Sequence, residues 1–297
     1  MSGPIGQWHY PKRRHLRVCR ETTWGECPAG PEWRCVPISG NGFTVASRRS
    51  LFRPENSFGG DSQVVVLPEH LTTRGILRTK LYPELAEFLL AMGLDRTGGL
   101  GSYCLDHFTP ADPRRITGAA TDRLRLTAGE DGVDLKLRLI AAAEEPNGAL
   151  SEDDFDYSGV GTVPFAFRGA AVTLNGSAVT DVERFSLVVE NDLEEGPWRD
   201  DRPAFLAAGQ RAVSLNLHKL ADGDALSEAV RSGGALAFSA TLAHPEGHTL
   251  TVSLPELYAE SCPESAVPGD LAKVELEAVA ATDETGDDIT YEVNLNL

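Results

Sequence analysis

The chain of 297 residues lacks any apolar run close to the roughly 18 residues that a membrane-spanning helix needs. Its longest apolar runs are Val64–Leu67 and Leu139–Ala143. The N-terminus carries Lys12, Arg13 and Arg14 with no apolar stretch after them. We therefore expect no secretion signal, no membrane association, and synthesis in a cytoplasm.

Paired cysteines are also missing. The five cysteines are odd in number and scattered, and none forms a C-x-x-C pair; they are Cys19, Cys27, Cys35, Cys104 and Cys262. Disulfide frameworks and zinc sites use paired, closer spacings, and the eight-residue recurrence of the first three fits no metal-ligand pattern. The sequence predicts free, mostly buried thiols and no metal.

The chain has none of the common catalytic motifs. The glycine cluster Gly98–Gly101 lacks the lysine and the following helix of a phosphate-binding loop, and neither G-x-S-x-G nor H-E-x-x-H occurs. His244 and His248 are four residues apart, but Pro245 and Gly247 between them favour a hairpin turn over two ligands on a helix.

The acidic residues do not form a recognisable metal-binding or catalytic motif either. Asp154–Gly159 resembles the first half of a calcium loop, but the position that needs a bidentate Glu is Phe165, so an exposed acidic loop is favoured. A pair of glycosidase carboxylates is not excluded by composition, yet only four tryptophans are available for aromatic platforms. We expect no catalytic residues and no cofactor.

Positive charge is scarce in the second half of the chain. The net charge is −17, and residues 1–138 carry 19 Lys and Arg against 15 Asp and Glu, whereas residues 139–297 carry 8 against 29. An acidic surface repels phosphates, so tight nucleic-acid binding is disfavoured. Passage close to DNA without binding it is compatible with this charge.

One segment is clearly helical. Pro83 suits a first helical turn, acidic residues follow it, and Gly93 can end the helix. A second, weaker helix is predicted over 224–232. The apolar stripe of the first helix is Leu85, Phe88, Leu89 and Met92.

Nearly everything else has the pattern of β-strands. Asp122–Thr127 and Val133–Ile140 alternate apolar and charged residues around a glycine turn, and Ala170–Leu174 and Ala178–Val182 flank Asn175-Gly176. Because helices are too few to cover a parallel sheet, we predict an all-β fold, a mostly antiparallel sandwich or barrel. The remaining predicted strands are Phe185–Glu190, Ala212–Lys219, Ala235–Leu242, Thr249–Leu254, Leu271–Ala280 and Ile289–Leu297.

The first 60 residues lack periodicity and contain repeated prolines, so we interpret residues 1–60 as an extended arm or long loop before a single β-sandwich domain over 61–297. Its basic residues suggest either a nucleic-acid-binding arm, helped by Trp8 and Tyr10, or an arm that docks on the acidic part of another copy. We favour docking.

The order of these segments resembles the tail tube proteins of long-tailed bacteriophages. The resemblance starts at Glu21–Gly25, similar to the family's N-terminal Glu-x-x-x-Gly segment, and continues through Gly75–Leu77 into the helix. It is strongest at Val163–Leu174 and then at Val182–Asn191. It closes with Arg211–Leu217, Leu250–Leu257 and the two terminal strands, so it covers roughly residues 16–297. Residues 1–15 and Cys27–Cys35 have no counterpart in it.

This resemblance implies a structural virion protein. Each copy would be a β-sandwich with a flanking helix, six copies would form a ring, and rings would stack into a tube that carries the genome from capsid to host. The implied partners are further copies, a tape measure protein, and tail terminator and tip proteins, with double-stranded DNA passing without specific binding. The protein would be made in the bacterial cytoplasm and reside in the phage tail. A carbohydrate-binding, adhesin-like β-sandwich is the alternative.

Two sets of residues become candidates for assembly. The basic arm, with Arg13, Arg14, Arg17 and Arg20, would bridge to an acidic surface of an adjacent ring. The carboxylates proposed to line the lumen are Glu275, Glu277 and Glu292.

Overall fold

The computed structural model describes residues 14–38, 42–52, 67–96, 100–199, 202–220, 231–265, 273–281 and 288–296. Within the described residues, helix α1 spans Pro83–Leu94 and a 3-10 turn covers Glu152–Asp154. The strands are β1 (His15–Arg20), β2 (Arg34–Cys35), β3 (Phe43–Phe52), β4 (Leu67–Lys80), β5 (Tyr103–Phe108), β6 (Arg114–Gly129), β7 (Gly132–Ala141), β8 (Ala143–Pro146), β9 (Ala166–Leu174), β10 (Ser177–Ala178), β11 (Val182–Glu190), β12 (Leu193–Glu195), β13 (Trp198–Arg199), β14 (Arg202–Pro203), β15 (Leu206–Ala208), β16 (Ala212–Leu220), β17 (Leu236–Ala243), β18 (Thr249–Ser261), β19 (Glu264–Ser265), β20 (Lys273–Ala280) and β21 (Thr290–Asn294).

Two antiparallel sheet layers pack face to face, which confirms the predicted all-β class. The first layer has the order β3-β4-β7-β6-β11-β16-β20. The second has the order β10-β9-β17-β18-β21. Between them the ring of Phe185 on β11 meets that of Phe238 on β17 edge-on, with centroids 5.5 Å apart. The apolar residue at every second strand position therefore points into one shared core.

Strand β18 joins the two layers. Its first half pairs with β17 and β21, and Leu257–Ser261 then pairs with β20 of the first layer. A smaller sheet formed by β2, β1, β5, β8 and the first half of β6 lies beside the first layer, because β6 is long enough to belong to both. Seventeen strands thus form one continuous paired set, while β12 pairs with β15 and β13 pairs with β14 in two separate two-stranded sheets.

The two hairpins predicted from local sequence are present, although the second is shorter than expected. Strands β6 and β7 pair up to Gly129 opposite Gly132, and β7 alternates buried and exposed residues. Asn175 and Gly176 both have positive φ, as a tight hairpin turn requires. The return strand β10 contains only two residues, because Asp181 adopts a left-handed conformation and redirects the chain into β11.

Helix α1 confirms the predicted start and the apolar stripe, but Gly93 has another role than ending the helix. Leu85, Leu89 and Met92 are buried, and the helix continues to Leu94. A Cβ on Gly93 would lie 2.6 Å from Leu124 Cδ1 on β6. Glycine is therefore needed at this position for the close approach of helix and strand.

The N-terminal region differs from the expected arm or loop. Strands β1, β2 and β3 all belong to sheets, and Leu16, Val18 and Cys19 are buried. Polar residues and turns interrupt the short apolar stretches of these strands, so the sequence does not show the alternation of apolar and polar residues that is typical of a strand. Residues 1–13 lie outside the described part of the chain, as does nearly all of the predicted helix 224–232. Within the described residues, no helix is long and apolar enough to cross a lipid bilayer.

Candidate functional site

The outer face of the first layer carries rows of charged side chains. Directly paired residues of antiparallel strands share a face, so the register assigns each row. One row contains Lys80, Asp134, Thr127, Ser186, Asn216 and Glu277. The next contains Arg78, Lys136, Arg125, Val188, Ser214 and Val279. The cations lie mostly at the β4-β7-β6 end.

Five exposed cations form a basic cluster at that end: Arg78, Arg123, Arg125, Lys136 and Arg138. Partial burial and the four neighbouring guanidinium groups lower the pKa of Lys136. Two members have carboxylate partners, since Arg123 pairs with Glu190 and Arg138 with Asp122. The mutual repulsion favours an anionic partner over this surface. Alternating Arg and Lys residues in β6 and β7 were the signal for the cluster, which sequence reasoning missed.

Glutamates outnumber the cations Arg184 and Lys273 at the opposite end of the same face. Glu275 Oε1 accepts a hydrogen bond from Asn216 Nδ2 at 2.6 Å and lies 3.2 Å from His218 Nε2. Glu277 Oε2 accepts one from Ser261 Oγ at 2.7 Å. Burial, and next the charge of Arg184, lower the pKa of His218. The first layer therefore presents opposite charge at its two ends.

Glu292 lies on the other layer. It is exposed on β21, opposite Thr251 of β18, and its Oε1 accepts a hydrogen bond from Asn294 Nδ2 at 3.1 Å. The two layers enclose one core, so their outer faces look in opposite directions. The structure brings Glu275 and Glu277 together and separates Glu292 from them, so all three cannot line one wall.

Arg17 is held inside the fold. Its side chain is 12% exposed, and Nε and Nη2 donate to Asp106 Oδ2 at 3.1 and 2.9 Å. Its guanidinium also lies 4.4 Å from the centroid of Trp33, a cation–π contact. Arg115 donates to the same carboxylate at 2.8 and 2.9 Å, and this hydrogen bonding raises the pKa of Arg115. Asp106 is fully buried, so this group holds β1, β5 and β6 together.

The other arginines predicted in the arm have different positions. Arg14 is half-buried at the start of the described chain, and Arg20 is exposed at the end of β1. Arg13 lies outside the described residues. Sequence reasoning treated the four as one group, whereas Arg17 contributes to the stability of the fold.

The segment Glu21–Gly25 forms a turn that the buried side chain of Glu21 holds in place. Glu21 Oε2 accepts a hydrogen bond from the Gly25 amide at 3.0 Å, and its Oε1 accepts one from the Gly118 amide at 2.9 Å. Burial raises the pKa of Glu21. A Cβ on Gly118, which has φ of +62°, would collide with Trp24 and Ala142. The motif thus fixes the chain after β1 against the bend of β6.

Asn191 connects three elements in the same way. It is fully buried, and its Nδ2 donates to Gly93 O at 2.9 Å and to Thr121 O at 3.0 Å. Its Oδ1 accepts from Arg96 Nη2 at 3.1 Å. The C-terminal end of α1, β6 and the end of β11 are therefore joined by one amide.

The histidine pair forms the predicted hairpin turn between β17 and β18. His244 and His248 approach each other and Glu246 within 4.8 Å, but three of the four ring nitrogens have backbone partners, and His248 Nε2 lies 3.6 Å from Glu246 Oε2. His244 Nδ1 accepts from the Glu246 amide at 3.2 Å while Nε2 lies 3.0 Å from Val163 O. His248 Nδ1 accepts from the Asn296 amide at 2.9 Å. These contacts support a structural role for the pair.

The acidic loop that resembles a calcium site satisfies its own backbone. Asp154 Oδ2 accepts hydrogen bonds from the amide and hydroxyl of Ser151, and Asp156 accepts one from the Ser158 amide. Phe165, at the position of the missing glutamate, is fully buried. The carboxylates therefore shape a turn, as the interpretation of an exposed loop implies.

Three thiols come together where the sequence suggested only scattered cysteines. Cys19 on β1 is directly opposite Cys104 on β5, and Cys27 follows the Glu21–Gly25 turn. The three sulfur atoms lie within 4.8 Å of one another, and none of the five cysteines forms a disulfide bond. The local spacing gives no sign of this group, because strand pairing between distant segments creates it.

Large exposed apolar side chains in the described part of the chain are scattered. They are Val163, Phe205, Tyr258 and Leu295. Trp33 is covered by Arg17 and Trp24 packs near Gly118. This arrangement offers no support for the carbohydrate-binding alternative, which needs a contiguous aromatic platform.

Comparison with known proteins agrees with the geometry. A protein-family model described as phage tail tube protein matches residues 11–296, nearly the whole chain. No curated protein matches the sequence.

Proposed function

The chain belongs to the phage tail tube protein family, and from this premise we propose that six copies form a ring, that rings stack into a hollow tube, and that the genome leaves the capsid through it. The family is a structural component of the phage tail. Ring number, stacking and genome passage are the proposed part. Synthesis in the host cytoplasm and contacts with tape measure, terminator and tip proteins belong to the same proposal.

The observation that carries this proposal is the edge of the first layer. Strand β3 pairs with β4 on one side, and its other side has no partner strand among the described residues. The β3–β4 hairpin also extends beyond the rest of the sheet, because the part of β4 before Thr73 pairs with β3 and does not pair with β7. Monomeric proteins usually protect such edges, whereas a neighbouring copy would cover this one. Head-to-tail contact of this kind closes into a ring and can repeat along its axis.

Opposite charge at the two ends of the first layer supports the same arrangement. In a head-to-tail ring, the basic cluster of one copy approaches the acidic end, with Glu275 and Glu277, of the next. Such complementary charge speeds association and fixes its register. It also relieves the repulsion that lowers the pKa of Lys136.

We assign Glu275 and Glu277 to the channel wall and Glu292 to the outside of the tube. The first two share the outer face of the first layer, and Glu292 is on the opposite face of the sandwich. In the closed ring Glu275 and Glu277 lie beside the basic cluster of the neighbouring copy, which leaves the channel wall without an uncompensated cluster of cations. A duplex then moves past the wall without forming lasting ion pairs with it.

A contact between rings through the N-terminal arginines remains a second part of the proposal. Arg13, Arg14 and Arg20 are the candidates, while Arg17 is excluded by its bonds to Asp106. Deleting residues 1–20 would remove β1 and its buried Leu16, so a loss of tubes from that deletion would reflect misfolding of the chain. Deleting residues 1–13 in a chain that also carries Arg14→Ala and Arg20→Ala is the better test, because it removes all three candidates and keeps β1. Tubes should then become shorter while ring formation persists, and tubes of normal length would contradict the bridging role.

The ring contact is tested by reversing two charges of the basic cluster. Arg125→Glu with Lys136→Glu should prevent tubes while the far-ultraviolet spectrum stays that of a folded β-protein, since both side chains are exposed. The matched control is Arg114→Glu, which changes a cation of the smaller sheet. Electron microscopy should show tubes for the control and none for the double variant. Normal tubes from the double variant would refute the charge contact.

A further inference from the structure

The three clustered thiols have an arrangement unlike that of ordinary buried cysteines. Free cysteines usually behave as small apolar side chains dispersed through a core. Here Cys19, Cys27 and Cys104 place their sulfur atoms within 4.8 Å of one another. Thiolates bound at about 2.3 Å to a tetrahedral ion are separated by roughly 3.8 Å. Side-chain rotations that move the sulfur atoms by about 1 Å would therefore bring them to the separation of metal ligands.

The backbone around the thiols is fixed by contacts of its own. Cys19 and Cys104 are directly paired across β1 and β5, and both are buried. The turn before Cys27 is fixed by the bonds of Glu21 to the Gly25 and Gly118 amides. Cys27 is half-buried, which leaves a route for an ion to enter. The site is thus preorganised by the fold.

One cation lies near the three sulfur atoms. The guanidinium group of Arg115 is close enough to Cys27 to interact favourably with negative charge on its sulfur. The two carboxylates that act on Cys19 are already engaged, Glu21 by backbone amides and Asp106 by Arg17 and Arg115. Three sulfur atoms are therefore the donors that the protein supplies.

We propose that Cys19, Cys27 and Cys104 form a binding site for one thiophilic d10 metal ion, of which Zn²⁺ is the representative, with an exogenous ligand in the fourth position. Thiolate ligands select such ions over Mg²⁺ and Ca²⁺. The bound ion would fasten the turn after β1 to the β1–β5 pair. This inference is independent of tube assembly.

The binding step releases protons. With Zn²⁺ and water as the fourth ligand, three S–H bonds break, three metal–sulfur bonds form, and three protons pass to the buffer, leaving a complex with one net negative charge beside Arg115. Protons therefore compete with the metal, and affinity should increase as pH rises from neutral.

The test uses the full-length chain, purified under reducing conditions and stripped with a chelator. Titration with Co²⁺ should produce thiolate-to-cobalt charge-transfer absorption that Zn²⁺ abolishes, and native mass spectrometry should show one Zn²⁺ per chain. Cys27→Ser should weaken binding at least tenfold. Cys262→Ser, which changes another half-buried cysteine, should bind like the wild type.

Alkylation gives a second measurement that needs no variant. Zn²⁺ should slow the modification of Cys19, Cys27 and Cys104, mapped by mass spectrometry, and leave that of Cys262 unchanged. The proposal is overturned if the wild-type chain shows no charge-transfer absorption, if Cys27→Ser and Cys262→Ser bind equally, or if Zn²⁺ protects all cysteines alike.

Discussion

Replacing Gly93 by alanine tests the contact between α1 and the first layer. An added Cβ would lie 2.6 Å from Leu124 Cδ1 and 3.0 Å from Leu124 Cβ. Overpacking of this kind costs about 1–3 kcal/mol. Removing a glycine from a helix gains at most about 1 kcal/mol, and less near the helix end. We therefore expect Gly93→Ala to lower the free energy of unfolding by about 0.5–2.5 kcal/mol, the overpacking cost less a helix gain of about 0.5 kcal/mol.

The assay is urea unfolding followed by circular dichroism, at concentrations where the chain is monomeric. Leu124→Ala alone should cost about 2–5 kcal/mol. The double variant should be more stable than additivity predicts by about 1 kcal/mol, because the Cδ1 contact is gone. Gly148→Ala is the control, since a Cβ there meets nothing within 4 Å, and it should change stability by less than about 0.5 kcal/mol. A Gly93→Ala chain as stable as the wild type, or strict additivity with Leu124→Ala, would refute the reasoning.

Two further predictions concern buried charge. Burial lowers the pKa of His107 from 6.5 to about 4, so the folded state favours the neutral imidazole. The free energy of unfolding is therefore not reduced by this group above pH 6.5, and it decreases as pH falls from 6.5 toward 4, where the unfolded chain binds the proton first. His107→Gln should flatten the pH dependence of the unfolding free energy in that window by up to about 3 kcal/mol, and an unchanged slope would argue against this assignment. Asp106→Asn should cost about 3–5 kcal/mol because it leaves Arg17 and Arg115 without their buried carboxylate. Asp112→Asn, which removes an exposed ion pair, should cost less than about 1 kcal/mol, and equal losses for the two variants in urea unfolding would contradict the difference in burial.

Features determined by neighbouring residues were predictable from the sequence. The alternation in Val133–Ile140 requires one wet and one buried face, and β7 has both. Asn175-Gly176 forms the expected tight turn because both residues tolerate positive φ. The apolar stripe of α1 is likewise a local pattern, and Leu85 and Met92 are buried as predicted.

Features that depend on pairing between distant strands were not predictable. Glu275 and Glu292 have similar strand patterns, yet they lie on opposite outer faces because β20 and β21 pair with different parts of β18. Cys19 meets Cys104 only through the register of β1 with β5. The sequence predicts an exposed Arg17, whereas in the fold this residue pairs with Asp106 of β5.

Electron cryomicroscopy of the purified full-length chain, over a series of increasing concentrations, tests the central claim most directly. We expect hollow tubes of stacked rings with six copies each, in which the first layer lines the channel with Glu275 and Glu277 on its wall. Dispersed monomers at every concentration would contradict the proposed assembly. Tubes in which the second layer, with Glu292, lines the channel would contradict the assignment of the wall.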